Sequence, residues 1–134
     1  MIDVLQPAGW AKPSGYANGV AARGRMIFIA GQIGWNEQCV FESDDLVEQI
    51  RQTLQNIVAV ARAGGARPEH VVSMTWFLTD RKEYAARLKE IGAAYRSVMG
   101  RRFPAMTALQ VSGLIEDRAK VEIQAIAVMP DRMD

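Results

Sequence analysis

Two stretches of the chain carry apolar residues at helical spacing, and this feature most limits what the chain can fold into. Between Leu46 and Ala61, and again between Tyr84 and Met99, apolar positions recur every three or four residues. A helix with one apolar face must bury that face against another element. The intervening segments are rich in β-branched and aromatic residues, so we expect both helices to cover a sheet.

Both predicted helices have a start signal. Asp45 and Glu48 have the spacing of a capping box ahead of the first helix, and Asp80 with Glu83 repeats it ahead of the second. Gly100 follows the second apolar stripe and is a typical helix stop. The pattern therefore predicts one helix in each stretch.

Five segments have the composition or alternation of strands, and the first two are predicted to form a hairpin. They are residues 20–23, 26–30, 71–78, 107–111 and 120–128. The order β-β-α-β-α-β-β predicts an α+β fold with two helices packed on one face of a mixed sheet. In the last segment Ile126 lies on the face opposite Val121 and Ile123. An apolar residue there favours coverage of the second face by identical subunits.

Composition narrows the class of protein. The 134 residues fit one domain, expected over 1–134, and a hydrophobic content of 49% can form a core. A net charge of +1, from 16 basic and 15 acidic residues, disfavours a nucleic-acid scaffold and disorder. One Cys and one His predict no internal disulfide and no protein-only zinc site. The sequence has no glycine-rich phosphate loop or metal-ligand spacing, so we expect no metal or cofactor. Short apolar runs and no secretory pattern predict a soluble cytoplasmic protein without a membrane partner.

Glu122 and Tyr16 are the main candidates for chemistry, and each has a structural alternative. A partly desolvated Glu122 could activate a water molecule, although a solvent-facing glutamate on a strand is common. Tyr16, in a glycine-flanked segment, could place its phenol at a cleft or anchor a loop. Trp35, next to Gly34, is a candidate wall of a pocket, whereas Trp76 is predicted to belong to the core.

Three further positions have weaker signals. Arg101 and Arg102 follow the second helix, where they either compensate its dipole or bind an anionic substrate group. Gly31 permits a bulge or a close backbone approach in its strand. Cys39 and His70 lack visible partners, and we interpret both as unreactive surface positions.

Six segments, taken together, resemble the RidA/YjgF family of reactive intermediate deaminases. They are 15–20 (GYANGV), 27–33 (IFIAGQI), 49–57 (QIRQTLQNI), 75–80 (TWFLTD), 103–107 (FPAMT) and 121–128 (VEIQAIAV). The resemblance implies a chorismate-mutase-like fold and a homotrimer with clefts between its subunits. It also implies hydrolysis of enamines and imines such as 2-aminoacrylate, with Tyr16 and Glu122 at the positions of the family's tyrosine and glutamate.

The chain departs from that family at three positions. Met106 stands where the deaminating branch has the arginine that binds the substrate carboxylate, Ala108 where it has a cysteine, and Gly92 near its usual asparagine. Methionine cannot make the bidentate contact of a guanidinium. The substrate-binding residues expected on this basis are Met106, Thr107, Gly31, Trp35 and Arg101.

Three hypotheses for function follow. The favoured one is hydrolytic deamination of a small imine or enamine outside the standard 2-aminoacrylate branch, with Glu122 handling water, Tyr16 orienting the ligand, and Arg101 or Arg102 replacing the missing arginine. The alternative is a trimer that binds a small metabolite or a partner protein without turnover. The third, RNA cleavage, is disfavoured by the balanced charge.

Overall fold

A four-stranded mixed sheet forms the centre of the structure, a computed structural model that describes residues 2–131. The elements are β1 (Ile2–Leu5), β2 (Gly19–Ala22), β3 (Arg25–Ile33), α1 (Leu46–Ala63), a short 3-10 turn (Pro68–His70), β4 (Val71–Leu78), α2 (Arg81–Ala86), α3 (Leu88–Met99), β5 (Ala105–Gln110) and β6 (Val121–Met129). The predicted ends of the domain, at residues 1 and 134, lie outside the described residues.

The strand order of the central sheet is β3-β6-β4-β5. β6 pairs antiparallel with both β3 and β4, and β5 runs parallel to β4 at the edge. Helices α1 and α3 contact each other, and α1 also lies against β3 and β6. This arrangement confirms the predicted α+β class with helices on one face of a mixed sheet. Within residues 2–131, no helix has both the length and the apolar character needed to cross a bilayer.

The predicted hairpin between β2 and β3 is wrong. β2 pairs with β1, an N-terminal strand that the sequence interpretation missed, and β3 pairs with β6. The change of partner occurs at Gly24, whose φ of +146° is available to glycine but rarely to other residues. A side chain at Gly24 would also collide with the backbone carbonyl of Met129 on β6. β3 pairs with β6 instead of with β2 because β6 presents a row of buried apolar residues.

The second predicted helix is two helices. Asp80 caps α2 as predicted, accepting hydrogen bonds from the backbone N–H groups of Lys82 and Glu83 at 3.0 and 3.1 Å. The helix is interrupted at Arg87, whose φ of −122° and ψ of 26° are not helical. Its guanidinium contacts three carboxylates, at 2.7 Å from Asp45, 2.9 Å from Glu90 and 3.7 Å from Glu83.

The predicted apolar stripe of α1 forms the centre of the core. Ile50, Leu54 and Ile57 are fully buried, and they lie with Val121 and Ile123 of β6 in one continuous cluster of apolar side chains. Burial of such side chains is the main stabilising contribution in a domain of this size. This cluster fixes which face of the sheet the helices cover.

The opposite face of the sheet, called the open face below, carries apolar side chains without a covering helix. Phe28 is 70% exposed and Met26 54% exposed on β3. Phe28 lies opposite the half-buried Ile126 of β6. Contiguous exposed apolar surface of this kind marks an interaction site.

The start of α1 yields a stability prediction. The Asp45 carboxylate accepts a hydrogen bond from the N–H of Glu48 at 3.2 Å and pairs with Arg87. The hydrogen bond from Arg87 contributes most to lowering the pKa of Asp45 below its usual value, and the hydrogen bonds of the cap lower it further. Partial desolvation of the carboxylate raises this pKa, but by less than these contacts lower it. Asp45→Ala should lower the free energy of unfolding by about 1 kcal/mol through loss of the cap.

The pKa of Asp45 is lower in the folded state than in the unfolded state, so the ionised carboxylate stabilises the fold. This contribution to the free energy of unfolding is fully present above the unfolded-state pKa and is lost as pH falls through the folded-state pKa. Urea unfolding should therefore show the difference between the wild type and Asp45→Ala shrinking below about pH 4. Asp44→Ala is the matched control, since Asp44 pairs only with the exposed Arg118 and should cost little. Equal losses in the two variants would contradict this account.

Candidate functional site

A cavity of about 600 Å³ lies beneath α3 and is called the α3 cavity below. Its wall is mainly aromatic and aliphatic, with the main aromatic contributions from Tyr16, Trp76, Tyr84, Tyr95 and Phe103. Concave apolar sites with a few polar groups are the usual form of small-molecule sites. The cavity is therefore the first candidate site.

The edge strand β5 builds one wall of the α3 cavity. Side chains alternate across a strand, so Met106 and Ala108 line the cavity while Thr107 lies exposed on the open face. The loop carrying Tyr16 is held to the start of β5 because the N–H of Ala17 donates to the carbonyl of Pro104 at 2.9 Å. These backbone contacts hold the loop so that Tyr16 borders the same cavity as Met106.

All three departures from the deaminase pattern line this one cavity. Gly92 lines it from α3, and Met106 and Ala108 line it from β5. Each is smaller or less polar than the family residue that the resemblance implies. Together they remove charge from the β5 wall and leave space beside α3.

The polar groups of the cavity are mostly neutral donors. Burial raises the pKa of both Tyr84 and Tyr95, which keeps the two phenols protonated at neutral pH. The hydroxyl of Tyr95 donates to the carbonyl of Arg102 at 3.1 Å. The indole Nε1–H of Trp76 is buried and has no hydrogen-bond acceptor within the part of the chain that the structure describes.

Glu122 and Gly31 form a second cluster, on the open face. The pairing of β3 with β6 shifts register between Ile29 and Gln32, at the position where the sequence allows a bulge or a close backbone approach at Gly31. A side chain at Gly31 would collide with the Oε2 atom of Glu122. The Glu122 carboxylate is half-buried and, among residues 2–131, makes no hydrogen bond or ion pair within the chain.

In a single chain, Tyr16 and Glu122 thus belong to different surfaces. Tyr16 borders the α3 cavity together with Met106, whereas Glu122 accompanies Gly31 on the open face. Arg101 lies in a neighbouring groove of about 560 Å³ that Tyr16 also borders. The predicted catalytic pair therefore does not line one shared cavity of the single chain.

Trp35 lies apart from both cavities. Its ring packs against Phe41, with 5.7 Å between the ring centroids, in the loop before α1. The side-chain amide of Asn56 donates to its carbonyl at 2.8 Å. Cys39 is exposed, and the Nδ1 atom of His70 accepts a hydrogen bond from the N–H of Arg67 at 3.0 Å.

The sequence interpretation gave no place in the site to two residues that line the cavity, Trp76 and Arg96. Trp76 was predicted as core, and it is buried, but it also lines the cavity. Arg96 received no role, although it lines the cavity one helical turn beyond Gly92. The spacing of four residues between Gly92 and Arg96 was the available signal, because such positions lie on the same side of a helix.

A family model described as endoribonuclease L-PSP matches residues 10–129. Among curated relatives, the 2-iminobutanoate/2-iminopropanoate deaminase of Escherichia coli K12 is 34% identical over 116 residues, covering 84% of this chain and 86% of the relative. The match extends over the segments that carry the resemblance to the RidA/YjgF family.

Two solved structures extend the comparison. The YyfB protein of the Rid family from Yersinia pestis, described as of unknown function, superposes with a TM-score of 0.84 at 29% identity, covering 96% of this chain and 98% of that one. The Escherichia coli TdcF protein with bound serine superposes with a TM-score of 0.69 at 31% identity, covering 90% and 91%.

The contact between Gly31 and Glu122 yields a prediction. Gly31→Ala should destabilise the protein, because the new methyl group must displace the Glu122 carboxylate or the β3 bulge. The effect should be smaller in a Glu122→Ala background, with a coupling of about 0.5 to 1 kcal/mol in a double-mutant cycle measured by urea unfolding. Gly113→Ala is the control, since a methyl group there meets nothing within 4 Å. Equal costs of Gly31→Ala in both backgrounds would refute the contact.

Proposed function

Because the chain belongs to the RidA/YjgF family, we propose that it is a hydrolytic deaminase of a small imine or enamine metabolite, acting in clefts between the subunits of a homotrimer. The observation that carries the proposal is the division of the site: Tyr16 borders an apolar cavity, and the carboxylate of Glu122 is unpaired on the open face. A relative at 34% identity is named as a deaminase of 2-imino acids.

The proposed chemistry needs one water molecule and one group that accepts and returns a proton. The Glu122 carboxylate takes a proton from water while the water oxygen bonds to the imine carbon. The C=N electron pair moves to nitrogen, and Glu122 returns the proton to that nitrogen, which gives the neutral carbinolamine. Glu122 then carries the hydroxyl proton of the carbinolamine to nitrogen as the C–N bond breaks and the C=O bond forms. The products are a carbonyl compound and ammonia. The Tyr16 phenol orients the ligand by hydrogen bonding.

The trimer proposal is supported by the open face. Phe28 and Ile126 offer apolar surface, and the half-buried Glu122 lies within the same sheet. A second copy packed on this face removes apolar area from water and brings its own residues close to Glu122. The proposed active site therefore depends on assembly.

Met106 supports a substrate other than 2-aminoacrylate. Its thioether packs against the core and offers no positive charge to a carboxylate. Arg101, in the neighbouring groove, is one candidate replacement. A ligand larger and flatter than a three-carbon acid fits the apolar wall better.

A second candidate is a non-catalytic trimer that binds a small metabolite. The observation that favours it is the loss of all three polar family positions from one cavity, at Gly92, Met106 and Ala108. Both candidates share the expected partners, namely a small-molecule ligand and further copies of the chain. Both also keep the expectation of a cytoplasmic protein without membrane, metal or cofactor. The near-equal counts of 16 basic and 15 acidic residues support the further expectation that nucleic acid is not a partner.

Activity is tested with 2-iminobutanoate, 2-aminoacrylate and 2-aminomuconate, each generated in situ, by measuring ammonia release. We expect turnover of at least one of them, and about a 100-fold loss in Glu122→Gln because the proton acceptor is removed. Tyr16→Phe should reduce turnover less. Glu116→Gln is the control, since Glu116 is an exposed acid away from the α3 cavity and Glu122. Turnover that is unchanged in Glu122→Gln would exclude this mechanism, and no ammonia from any substrate would favour the binding protein.

Assembly is tested by light scattering coupled to size-exclusion chromatography. The wild type should have three times the mass of one chain. Phe28→Lys should dissociate it, because a charge on the open face would have to be buried in the interface. Ile115→Lys is the control, as Ile115 is 95% exposed on a loop and lies off the sheet. A wild type with the mass of one chain would refute the trimer.

A further inference from the structure

We propose that Arg96 supplies the guanidinium that binds an anionic group of the ligand in the α3 cavity, and that this ligand is a carboxylate with a planar, apolar body. The proposal rests on the proposed function, because it assigns the substrate class of that same site. It places the positive charge on α3 instead of on β5 or at Arg101.

The first support for the proposal is the arrangement of two residues on α3. Gly92 and Arg96 are four residues apart, and both line the cavity. The Nη1 atom of Arg96 lies 3.2 Å from the position that a side-chain Cβ would take at Gly92. A glycine within a helix is unfavourable by itself. A methyl group at Gly92 would require the flexible Arg96 side chain to shift by a few tenths of an ångström, so the glycine leaves this position of the guanidinium undisturbed.

The second support for the proposal is that the positive charge of Arg96 is not paired. Among the described residues Arg96 has no carboxylate within ion-pair distance, whereas Arg51, Arg67, Arg87 and Arg118 each have one. The described wall of the cavity contains no acidic side chain. An unpaired guanidinium beside an apolar cavity is suited to a carboxylate, which can accept two parallel hydrogen bonds from it.

The indole of Trp76 contributes to the wall of the same cavity, and the residue is 2% exposed. Its Nε1–H has no acceptor within residues 2–131 and is itself closed to solvent. A ligand in the cavity therefore meets the apolar surface of the indole, and the polar contact of the proposal is made by Arg96.

The shape and lining of the cavity define the rest of the ligand. A volume of about 600 Å³ is far more than a three-carbon acid fills. Tyr16, Tyr84, Phe103 and Met106 offer aromatic faces and a polarisable thioether. Such surfaces favour stacking with a planar unsaturated body. The ligand class is thus an unsaturated or aromatic carboxylate, of which a conjugated enamine or imino acid is the reactive form.

The test uses cinnamate and cinnamamide, which share one planar body and differ in charge. Isothermal titration of the purified protein should show that cinnamate binds about tenfold more tightly than cinnamamide. Arg96→Gln should abolish this preference by weakening cinnamate alone, and Arg96→Lys should keep part of it because the charge remains. Lys89→Gln is the control, since it removes a charge from the exposed side of the same helix and should change neither affinity.

Several outcomes would overturn the proposal: no binding of cinnamate, equal affinities of the wild type for the two probes, or an unchanged preference in Arg96→Gln. Thermal unfolding of each variant checks that the fold is retained, which we expect because Arg96 is exposed on the helix surface. The outcomes are separable from those for catalysis. A preference that depends on Arg96 without ammonia release would sustain this proposal and refute the deaminase. Ammonia release that is unchanged in Arg96→Gln would support the deaminase and refute this proposal.

Discussion

The structure depends on one constraint: its sheet has two apolar faces, but the helices can cover only one. Ile50, Leu54 and Ile57 of α1 are fully buried against the first face. Phe28 and Ile126 remain on the other. Because exposure of such a surface to water is unfavourable, the second face is the surface on which the proposed trimer depends, and it would then form part of a site as well as an interface. The proposed division of the active site between surfaces follows from this imbalance, since Glu122 belongs to the face that a neighbour would cover.

The edge strand β5 connects the two surfaces. Alternation along it directs Met106 towards the α3 cavity and Thr107 towards the open face, so neighbouring residues of one short segment serve different environments. The resemblance treats this segment as a single motif. The structure shows that only every second position of it can touch a ligand under α3. The substitution at Met106 therefore alters the cavity and leaves the open face unchanged.

The sequence predicted those features that arise from local pattern. The stripe of α1, the cap at Asp80 and the strand at 71–78 were all predicted from periodicity or capping, and the structure contains them. The hairpin at Gly24 was wrong because strand pairing is decided by the buried ladder of β6, which is remote in sequence. The break at Arg87 was missed because it accompanies contacts of one guanidinium with Asp45, Glu83 and Glu90, and Asp45 lies on another element.

The candidate site was less predictable for the same reason. Tyr16 and Met106 could be named from motifs, but their place in one cavity depends on the hydrogen bond between Ala17 and Pro104, which are far apart in the chain. Arg96 carried no motif, and its interest arises only once Gly92 is seen to lie beneath its guanidinium. A site that loses a cation from a strand can regain one from a helix on the opposite wall, provided that the intervening position is small. With the guanidinium on α3 instead of on β5, a carboxylate would be bound from the helix side of the cavity. The β5 side would then contact the apolar part of the ligand. Substrate class would then be set by the pair Gly92 and Arg96 together with Met106, and not by any one of these positions alone.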